Sequence, residues 1–265
     1  MSRTPVMLTI AGSDPSGGAG IQADLKTASA HGVYGATVVT ALTAQNTLGV
    51  TGIHAVPPSF VVDQYEAVVT DLDVRAVKIG MLGSVEVVEA VASMLRRWPV
   101  PAVVLDPVMV ATSGDRLVPE DAVVAIRELL LPLTTVLTPN VPEAEVLTGL
   151  SISADADLAT AGHALRELGS RHALVKGGHL DGDRSVDVLV SPGGVTRLDA
   201  PRVRTRHTHG TGCTLSSAIA AQLARGEDVP EAVGLAKAYL TRALAAGAAL
   251  HVGRGNGPVD HGVDA

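Results

Sequence analysis

Short apolar runs rich in β-branched residues alternate with longer segments of helical period along almost the whole chain of 265 residues. This alternation predicts repeated βα units, and therefore a mostly parallel sheet with right-handed crossovers and helices on both faces. No linker or repeat divides the pattern, so we expect one three-layer α/β/α domain over residues 1–265. The predicted strands are 6–11, 36–41, 76–80, 103–108, 135–137 and 173–175, and the predicted helices are 18–30, 58–71, 84–96, 119–131, 142–147, 156–168, 214–225 and 230–250.

Two segments break this rhythm, because their apolar residues alternate with a period close to two. Residues 186–198 contain a Pro-Gly-Gly turn, which predicts a small antiparallel extension at one edge of the sheet. Residues 49–56 are consistent with either a flap over a binding site or a part of a subunit contact. The last residues, 253–265, are polar and rich in glycine, so we expect a loosely held tail.

Charge and cysteine content exclude several classes of function. The net charge is −7 and no block of consecutive Lys or Arg occurs, which argues against binding of nucleic acid or of an anionic membrane. No run reaches the ~18 apolar residues that span a bilayer, and residues 1–9 lack the apolar core of a secretion signal, so we expect a cytoplasmic protein. The single cysteine, Cys213, excludes an internal disulfide and any multi-cysteine metal site.

Glycines, carboxylates and amides follow the predicted strands one after another. In a doubly wound sheet, ligands bind at the carboxyl ends of the strands, so these residues are expected to line one crevice. Each alone is also typical of an ordinary turn. The residues at these strand ends are Gly12, Ser13, Asp14, Gln45, Asn46, Gly80, Met81, Asp106, Asn140, Lys176 and Gly177.

The strongest local signal is the segment 209–214, which reads HGTGCT and runs directly into an apolar helix. Two glycines can turn backbone N–H groups inward, and the start of a helix adds partial positive charge, so the segment suits a phosphate group. A glycine turn with a threonine cap on a structural helix remains the alternative. Residues 12–20 match neither a Walker loop nor a dinucleotide fingerprint, which disfavours P-loop enzymes and nicotinamide dehydrogenases.

Taken together, these motifs resemble the hydroxymethylpyrimidine/phosphomethylpyrimidine kinases of thiamine biosynthesis, which belong to the ribokinase-like superfamily. The resemblance covers nearly the whole chain and implies a ribokinase-like α/β/α sandwich. The matching stretches are 9–26 (TIAGSDPSGGAGIQADLK), 43–47 (TAQNT), 78–81 (KIGM), 105–109 (LDPVM), Ser113-Gly114, 138–144 (TPNVPEA), 175–179 (VKGGH) and 209–214 (HGTGCT).

The resemblance implies that ATP, with Mg²⁺, phosphorylates 4-amino-5-hydroxymethyl-2-methylpyrimidine and then converts the monophosphate to the diphosphate. It also allows an assisting monovalent cation and a homodimer. It assigns substrate binding to Gly12, Asp24, Gln45, Met81 and Val108, ATP binding to Asp106, Asn140, Lys176, Thr211 and Gly212, metal binding to Asp106 and Glu143, and catalysis to Lys176, Gly210, Gly212 and Cys213. Phosphoryl transfer needs these elements: a positioned acceptor, a hard cation, neutralised charge and a proton acceptor.

Each assignment has a structural alternative. Met81 could pack in the core, and the Asp24 carboxylate could interact favourably with a helix dipole. Lys176 could extend its ammonium to solvent from an apolar strand. Asn140 and Glu143 could simply cap a helix. Cys213 stands where most ribokinase-like enzymes have an aspartate base, and a thiol of pKa ~8.5 can be lowered at a helix start. The alternative for it is a small buried thiol.

Two other functions compete with this interpretation. A pyridoxal kinase would phosphorylate a similar hydroxymethyl group on a pyridine ring, although Gln45 and Cys213 favour the pyrimidine. A non-catalytic binder of the same ligand would need neither a metal site nor a proton acceptor. His207 and His209 are two residues apart without a third ligand nearby, so we expect them to be local loop residues.

Overall fold

The computed structural model describes residues 4–109 and 119–263, and within these ranges nine strands form one sheet in the order β3-β2-β1-β4-β5-β6-β7-β8-β9. The strands from β2 to β7 in this order are parallel, whereas β3, β8 and β9 add antiparallel edges. The strands are β1 (Val6–Ser13), β2 (Tyr34–Asn46), β3 (Gly49–Ala55), β4 (Val74–Ile79), β5 (Ala102–Leu105), β6 (Val136–Leu137), β7 (His172–Lys176), β8 (Arg184–Ser191) and β9 (Gly194–Pro201).

Helices cover both faces of the sheet, as the alternation predicted. The segment predicted as one helix over 119–131 is composite: α4 continues into a π-helical turn at Ile126–Leu130 and a 3-10 turn at Leu131–Leu133. The helices are α1 (Gly20–Ala30), α2 (Pro58–Val69), α3 (Val85–Arg97), α4 (Glu120–Ala125), α5 (Val141–Thr148), α6 (Asp155–Glu167), α7 (Thr211–Arg225) and α8 (Val229–Gly247).

Strand residues alternate between two apolar cores, one on each face of the sheet. In β1, for example, Leu8 and Ile10 pack under α2, α3 and neighbouring helices, whereas Met7 packs with the buried faces of α7 and α8. Successive side chains of a strand point to opposite faces, which explains why these strands are almost continuously apolar. The sheet therefore holds the carboxyl ends of its parallel strands in one rigid row.

Helix α7 lies against β1, β4 and β5 at the centre of its layer and buries ten of its fifteen residues. Its side chains there are mostly Ala, Ser and Thr, which allow close approach to the sheet. The helix begins at Thr211, after Gly210, which has a φ of 77°. This conformation favours glycine, because other residues meet a steric penalty there. The position of α7 thus places its N-terminus beside the carboxyl ends of the central strands.

The edges of the sheet and the chain end refine the predictions. The predicted antiparallel extension is confirmed as β8 and β9, and residues 49–55 pair with β2 as an exposed edge strand.

Residues 253–263 are not loosely held as composition suggested: Val259 is buried and the Asp260 N–H donates to the Ala243 carbonyl. Ser113-Gly114 lies outside the described residues. Within the described ranges, none of the helices has the length and apolarity that a membrane crossing requires.

Candidate active site

A cavity of about 690 Å³ opens at the carboxyl ends of the parallel strands. It is the position that the doubly wound topology predicts for a ligand. All but one of the residues that the resemblance assigned to the site line it, and they lie in or directly after strands β1, β2, β4, β5 and β7 or at the starts of α5 and α7. These lining residues are Gly12, Gln45, Met81, Asp106, Val108, Asn140, Glu143, Lys176, Gly210, Thr211, Gly212 and Cys213.

The start of α7 forms a backbone cradle on one wall of this cavity. A Cβ at Gly210 would overlap the carbonyl oxygen of Gly18, so the two glycine-rich loops approach closely only because both lack side chains. At Gly212, a Cβ would lie 3.1 Å from Asp106 Oδ2 and 3.4 Å from Lys176 Nζ. The first-turn N–H groups of an α-helix have no intrahelical acceptors, and the helix dipole favours an anion there. This geometry suits a phosphate group.

Lys176 and Asp106 form an ion pair on the floor of the cavity. Lys176 Nζ donates to Asp106 Oδ1 at 2.9 Å, and its side chain is 14% exposed. Burial alone would lower the pKa of Lys176, but the Asp106 and Glu143 carboxylates raise it above its usual range. The ammonium therefore stays charged and faces the space beside Gly212.

Glu143 and Asn140 cap the start of α5. The Glu143 N–H donates to Asn140 Oδ1 at 2.9 Å, and the Asn140 N–H donates to Glu143 Oε2 at 2.8 Å. Burial raises the pKa of Glu143 to about 7; the charge of Lys176 opposes this rise and that of Asp106 adds to it. Asn140 and Glu143 thus form the helix cap that was the structural alternative for them, and Glu143 also lines the cavity.

The two carboxylates fit a magnesium ion that keeps most of its water. Asp106 and Glu143 interact electrostatically within one cavity, and a divalent cation between them would relieve the burial of negative charge at Glu143. Among the described residues, no group of three or more His, Cys, Asp or Glu side chains could form a complete protein cage. Mg²⁺ is usually bound by one or two carboxylates together with water and substrate phosphates.

The Cys213 thiol lies in the first turn of α7 and is partly exposed to the cavity. Burial raises its pKa to about 11, against the lowering effect of Lys78, and the charges of Asp24 and Asp106 raise it further. The lowered pKa expected from the helix start is therefore wrong for this structure, because desolvation outweighs the helix terminus. At neutral pH the thiol is almost entirely protonated.

The opposite end of the cavity offers an amide and apolar walls. Gln45 was expected beyond the end of a strand, but it lies within β2, where its Oε1 accepts a hydrogen bond of 3.1 Å from Thr43. Met81 lies across Gly12, where a Cβ would be 2.6 Å from the Met81 Cε. Val108 and Val50, the latter from the edge strand β3, complete this end of the cavity.

The structure does not place Asp24 on the rim of the cavity. Its side chain is fully buried and binds Lys78 Nζ at 2.9 Å and 3.0 Å. Thr9 and Ser217 donate to the same carboxylate at 2.6 Å and 2.7 Å. Lys78, by contrast, belongs to the cavity wall. Sequence reasoning missed Lys78, although a single lysine inside an apolar strand was a signal for a buried charge.

His209 is a second correction, because it is not a local loop residue. It is buried, and its Nε2 lies 2.8 Å from Asp14 Oδ2. Asp14 also accepts hydrogen bonds from Ser16 and from the Ala19 N–H, which shape the glycine-rich loop after β1. Burial alone would raise the pKa of Asp14, but the His209 and Ser16 hydrogen bonds lower it to about 2. The pair thus joins that loop to the start of α7.

A further ion pair lines the cavity near Lys176. Lys237 of α8 donates to Asp187 of β8 at 2.7 Å, and Asp187 Oδ1 accepts the Gly177 N–H at 3.1 Å. Leu240 and Leu244 add apolar surface beside this pair. Asp187 also raises the pKa of Lys176, so this pair lies close to the Lys176 ammonium.

Comparison with known proteins finds relatives over most of the chain. Residues 14–260 match the model of the family described as phosphomethylpyrimidine kinase. The chain is 54% identical over 259 residues to the hydroxymethylpyrimidine/phosphomethylpyrimidine kinase of Rhizobium meliloti, and the match covers 97% of both chains.

Two solved structures share the fold over most of their length. A phosphomethylpyrimidine kinase from Clostridium difficile is 44% identical, with a TM-score of 0.81 and coverage of 90% of this chain and 99% of that one. An ADP complex of Bacillus subtilis pyridoxal kinase is 34% identical, with a TM-score of 0.91 and coverage of 98% of both chains. From the match over residues 14–260 and these identities, the chain belongs to the phosphomethylpyrimidine kinase family, on a ribokinase-like fold.

Proposed function

We propose that this protein is an ATP-dependent kinase that phosphorylates 4-amino-5-hydroxymethyl-2-methylpyrimidine and then its monophosphate, in thiamine biosynthesis. The observation that carries the proposal is that the backbone cradle at the start of α7 shares one cavity with Lys176, Asp106 and Gln45. The 54% identity to a kinase of that name, over nearly the whole chain, supports the same substrates.

The acceptor occupies the end of the cavity lined by Gln45, Gly12, Met81 and Val108. An amide side chain offers a donor and an acceptor, which match the amino group and ring nitrogen of an aminopyrimidine. The Met81 thioether and the glycine backbone provide a flat apolar surface for the ring. The hydroxymethyl group then points toward the start of α7.

The donor phosphates occupy the wall formed by Gly210, Thr211 and Gly212, beside Lys176. Backbone N–H groups and the ammonium neutralise negative charge on the transferred group, and this charge is greatest in the transition state. Asn140 lies on the same side of the cavity, and the apolar surface beside Lys237 takes the base of the nucleotide. The ADP complex of the Bacillus subtilis relative is consistent with ATP as the donor.

Asp106 and Glu143 would hold Mg²⁺ through oxygen ligands and bound water. When bound, the ion supplies charge neutralisation on the phosphates of the donor. Lys176 already pairs with Asp106, so the floor of the cavity is preorganised before nucleotide binds. A monovalent cation remains part of the expectation from the resemblance.

Cys213 accepts the proton of the acceptor hydroxyl in the first phosphorylation. Its pKa of about 11 leaves only a small ionised fraction at neutral pH. A base of this kind makes turnover rise with pH across the neutral range, because the ionised fraction grows tenfold per pH unit. The loose transition state of phosphoryl transfer demands little base strength, so a small fraction suffices.

The test is a coupled assay of ADP release with Mg²⁺ on three acceptors, namely the hydroxymethylpyrimidine, its monophosphate and pyridoxal. We expect turnover on both pyrimidines and little on pyridoxal. Pyridoxal kinase activity is the second candidate, because the Bacillus subtilis pyridoxal kinase shares the fold at a TM-score of 0.91. A preference for pyridoxal would reassign the substrate, and no turnover on any acceptor would favour a non-catalytic binder.

We further propose a homodimer that forms through the edge strand β3. Four apolar side chains around this edge are at least half exposed, namely Leu42, Leu48, Ile53 and Phe60. A free, apolar strand edge is a site for pairing with another chain. Sedimentation of the wild type and of Ile53→Asp tests this: we expect a dimer and a monomer, respectively, and a monomeric wild type would contradict it. The cytoplasmic location stays a prediction.

A further inference from the structure

A buried polar cluster lies directly beneath the acceptor end of the cavity. It consists of Thr9 on β1, Asp24 on α1, Lys78 on β4 and Ser217 on α7. The side chains of Thr9, Lys78 and Ser217 donate to the Asp24 carboxylate, with donor distances of 2.6–3.0 Å. Both members of the ion pair have side chains that are 0% exposed. Four separate elements therefore converge to hold one lysine in a fixed place.

The ion pair has a definite orientation relative to the cavity. Lys78 is among the residues that line the cavity and Asp24 is not, and Lys78 acts more strongly than Asp24 on the Cys213 thiol, so the positive end of the pair lies nearer to the ligand space. A Cβ at Gly80 would lie 2.9 Å from Lys78 Nζ, so the ammonium sits just behind the backbone after β4. Because the side chain has no exposed surface, Lys78 acts on a ligand through its electric field and not by contact.

The two acceptors of the proposed function differ in charge. The hydroxymethyl compound has a neutral alcohol, whereas its monophosphate carries a charge of about −1.5 to −2 at neutral pH, as phosphate monoesters do. In each step an acceptor oxygen bonds to the γ-phosphorus, the bond from that phosphorus to the bridging oxygen breaks, and ADP leaves. The alcohol must also lose its proton, which the ionised (thiolate) form of Cys213 accepts to become the thiol. The phosphate oxygen is already ionised and needs no base.

We propose that the Asp24–Lys78 pair is a specificity-determining device, which favours the phosphorylated acceptor over the unphosphorylated one. Lys78 is a positioning residue in this role, because it biases which acceptor binds productively without touching it. The inference rests on the proposed function for the identity of the two acceptors. It assigns the two steps to different groups: Cys213 serves the neutral acceptor, and Lys78 serves the anionic one.

The test compares the affinities of the two acceptors, which calorimetry measures in the absence of ATP and therefore without turnover. The quantity is the ratio of the dissociation constant of the hydroxymethylpyrimidine to that of its monophosphate. The variants are Lys78→Met and the double variant Lys78→Met/Asp24→Asn. The double variant leaves no unpaired buried charge, so it keeps the test valid if the single variant does not fold.

A matched control uses a different buried lysine–aspartate pair, Lys237 and Asp187, both of which line the cavity. Lys237 and Asp187 are 2.7 Å apart, with side chains that are 11% and 4% exposed, and they lie at the nucleotide end. The control variant is Lys237→Met/Asp187→Asn. It removes a buried pair of the same chemistry but leaves the acceptor end unchanged.

We expect the affinity ratio to fall by about tenfold in the double variant at Lys78, which is less than the loss of one charge several ångströms away would give at an effective dielectric constant of ~20, because the carboxylate is removed together with the ammonium. In the control variant the ratio should stay within about twofold. An unchanged or higher ratio in the Lys78 double variant, or an equal fall in the control, would overturn the inference. A wild type that binds neither pyrimidine would instead overturn the proposed function, and with it this inference.

Discussion

Two of the buried lysine–aspartate pairs lie close to Cys213, and their surroundings differ. Lys78 binds Asp24 and Lys176 binds Asp106, each with a shortest distance of 2.9 Å. The first pair is sealed, with both side chains 0% exposed and two hydroxyl groups on its carboxylate. The second is 14% exposed at the lysine and faces the ligand space. The sealed pair Lys78–Asp24 thus supports the fold, whereas the lysine of the pair Lys176–Asp106 remains available to a ligand.

This comparison implies that loss of the two lysines has different consequences. A charge in a sealed pair has no water to replace its partner, so its removal leaves an uncompensated buried ion. A lysine at the cavity surface leaves a carboxylate that water or a cation can reach. The first change is therefore expected to affect stability, and the second is expected to affect catalysis.

Lys78→Met should lower the free energy of unfolding by about 3–5 kcal/mol, because it leaves Asp24 buried and unpaired. Lys78→Met/Asp24→Asn should recover most of that loss, since no charge then remains. Urea unfolding followed by circular dichroism measures both. If the double variant is as unstable as the single one, the pair does not act as a sealed unit.

Lys176→Met should lower kcat/KM by about a hundredfold to a thousandfold, the range seen when one donor to a developing charge is removed. Its loss of unfolding free energy should be less than half that of Lys78→Met. The coupled assay and the same urea series give both numbers. Near-normal turnover together with a large loss of stability would show that Lys176 supports the fold and not catalysis.

Cys213 lies close to the two pairs, so the pKa of its thiol depends on their charges. With a pKa of about 11, it should react with iodoacetamide roughly a hundredfold more slowly at pH 7 than an exposed thiol of pKa ~8.5. The rate should keep rising above pH 9. Because Cys213 is the only cysteine, total alkylation measures it directly. A plateau below pH 8 would show a thiolate that is stabilised by its surroundings.

Turnover of the Cys213→Ala variant separates the base role from a packing role. If Cys213 accepts the proton, this variant should lose most activity on the neutral hydroxymethyl acceptor and keep more of it on the monophosphate. Equal activity of the variant and the wild type on both acceptors would show that the thiol only fills space.

The hydrogen-bonded pair of Asp14 and His209 is expected to give the smallest effect. The folded-state pKa of Asp14 is about 2, below its ordinary value of 3.8, so the ionised form stabilises the fold above about pH 4. That contribution is lost as the pH falls toward 2, and the shift corresponds to about 2 kcal/mol. Asp14→Asn should therefore be destabilised at pH 7, and its difference from the wild type should shrink near pH 3. A difference that does not depend on pH would argue against the ion pair.

The sequence was sufficient to predict the layers, the antiparallel edge at β8 and β9 and all but one of the assigned site residues that line the cavity, whereas the edge strand β3 was interpreted as a flap or a subunit contact. Strand and helix periods are local, so the alternation of apolar runs located the carboxyl ends where Asp106 and Lys176 lie. The cradle at Gly210 was visible because glycines directly precede an apolar helix. The end of β2 was misplaced, because pairing with β3 extends that strand through Gln45, and such pairing is not local.

The missed features all depend on contacts between residues distant in the chain. Lys78 and Asp24 are 54 residues apart, and His209 and Asp14 are 195 apart, so no local pattern indicates either pair. The pKa of Cys213 was misjudged for a related reason. A helix start is readable from sequence, whereas the burial that outweighs it depends on the packing of α1 and β4 against α7.

The most direct test of the central claim is ³¹P NMR of the wild-type protein with ATP, Mg²⁺ and 4-amino-5-hydroxymethyl-2-methylpyrimidine, with Lys176→Met as the control. We predict that the monophosphate appears first and the diphosphate follows, with one ADP formed for each phosphoryl group transferred, and that the control forms neither product at a comparable rate. Release of inorganic phosphate without a phosphorylated pyrimidine, or equal product from the control, would contradict the account.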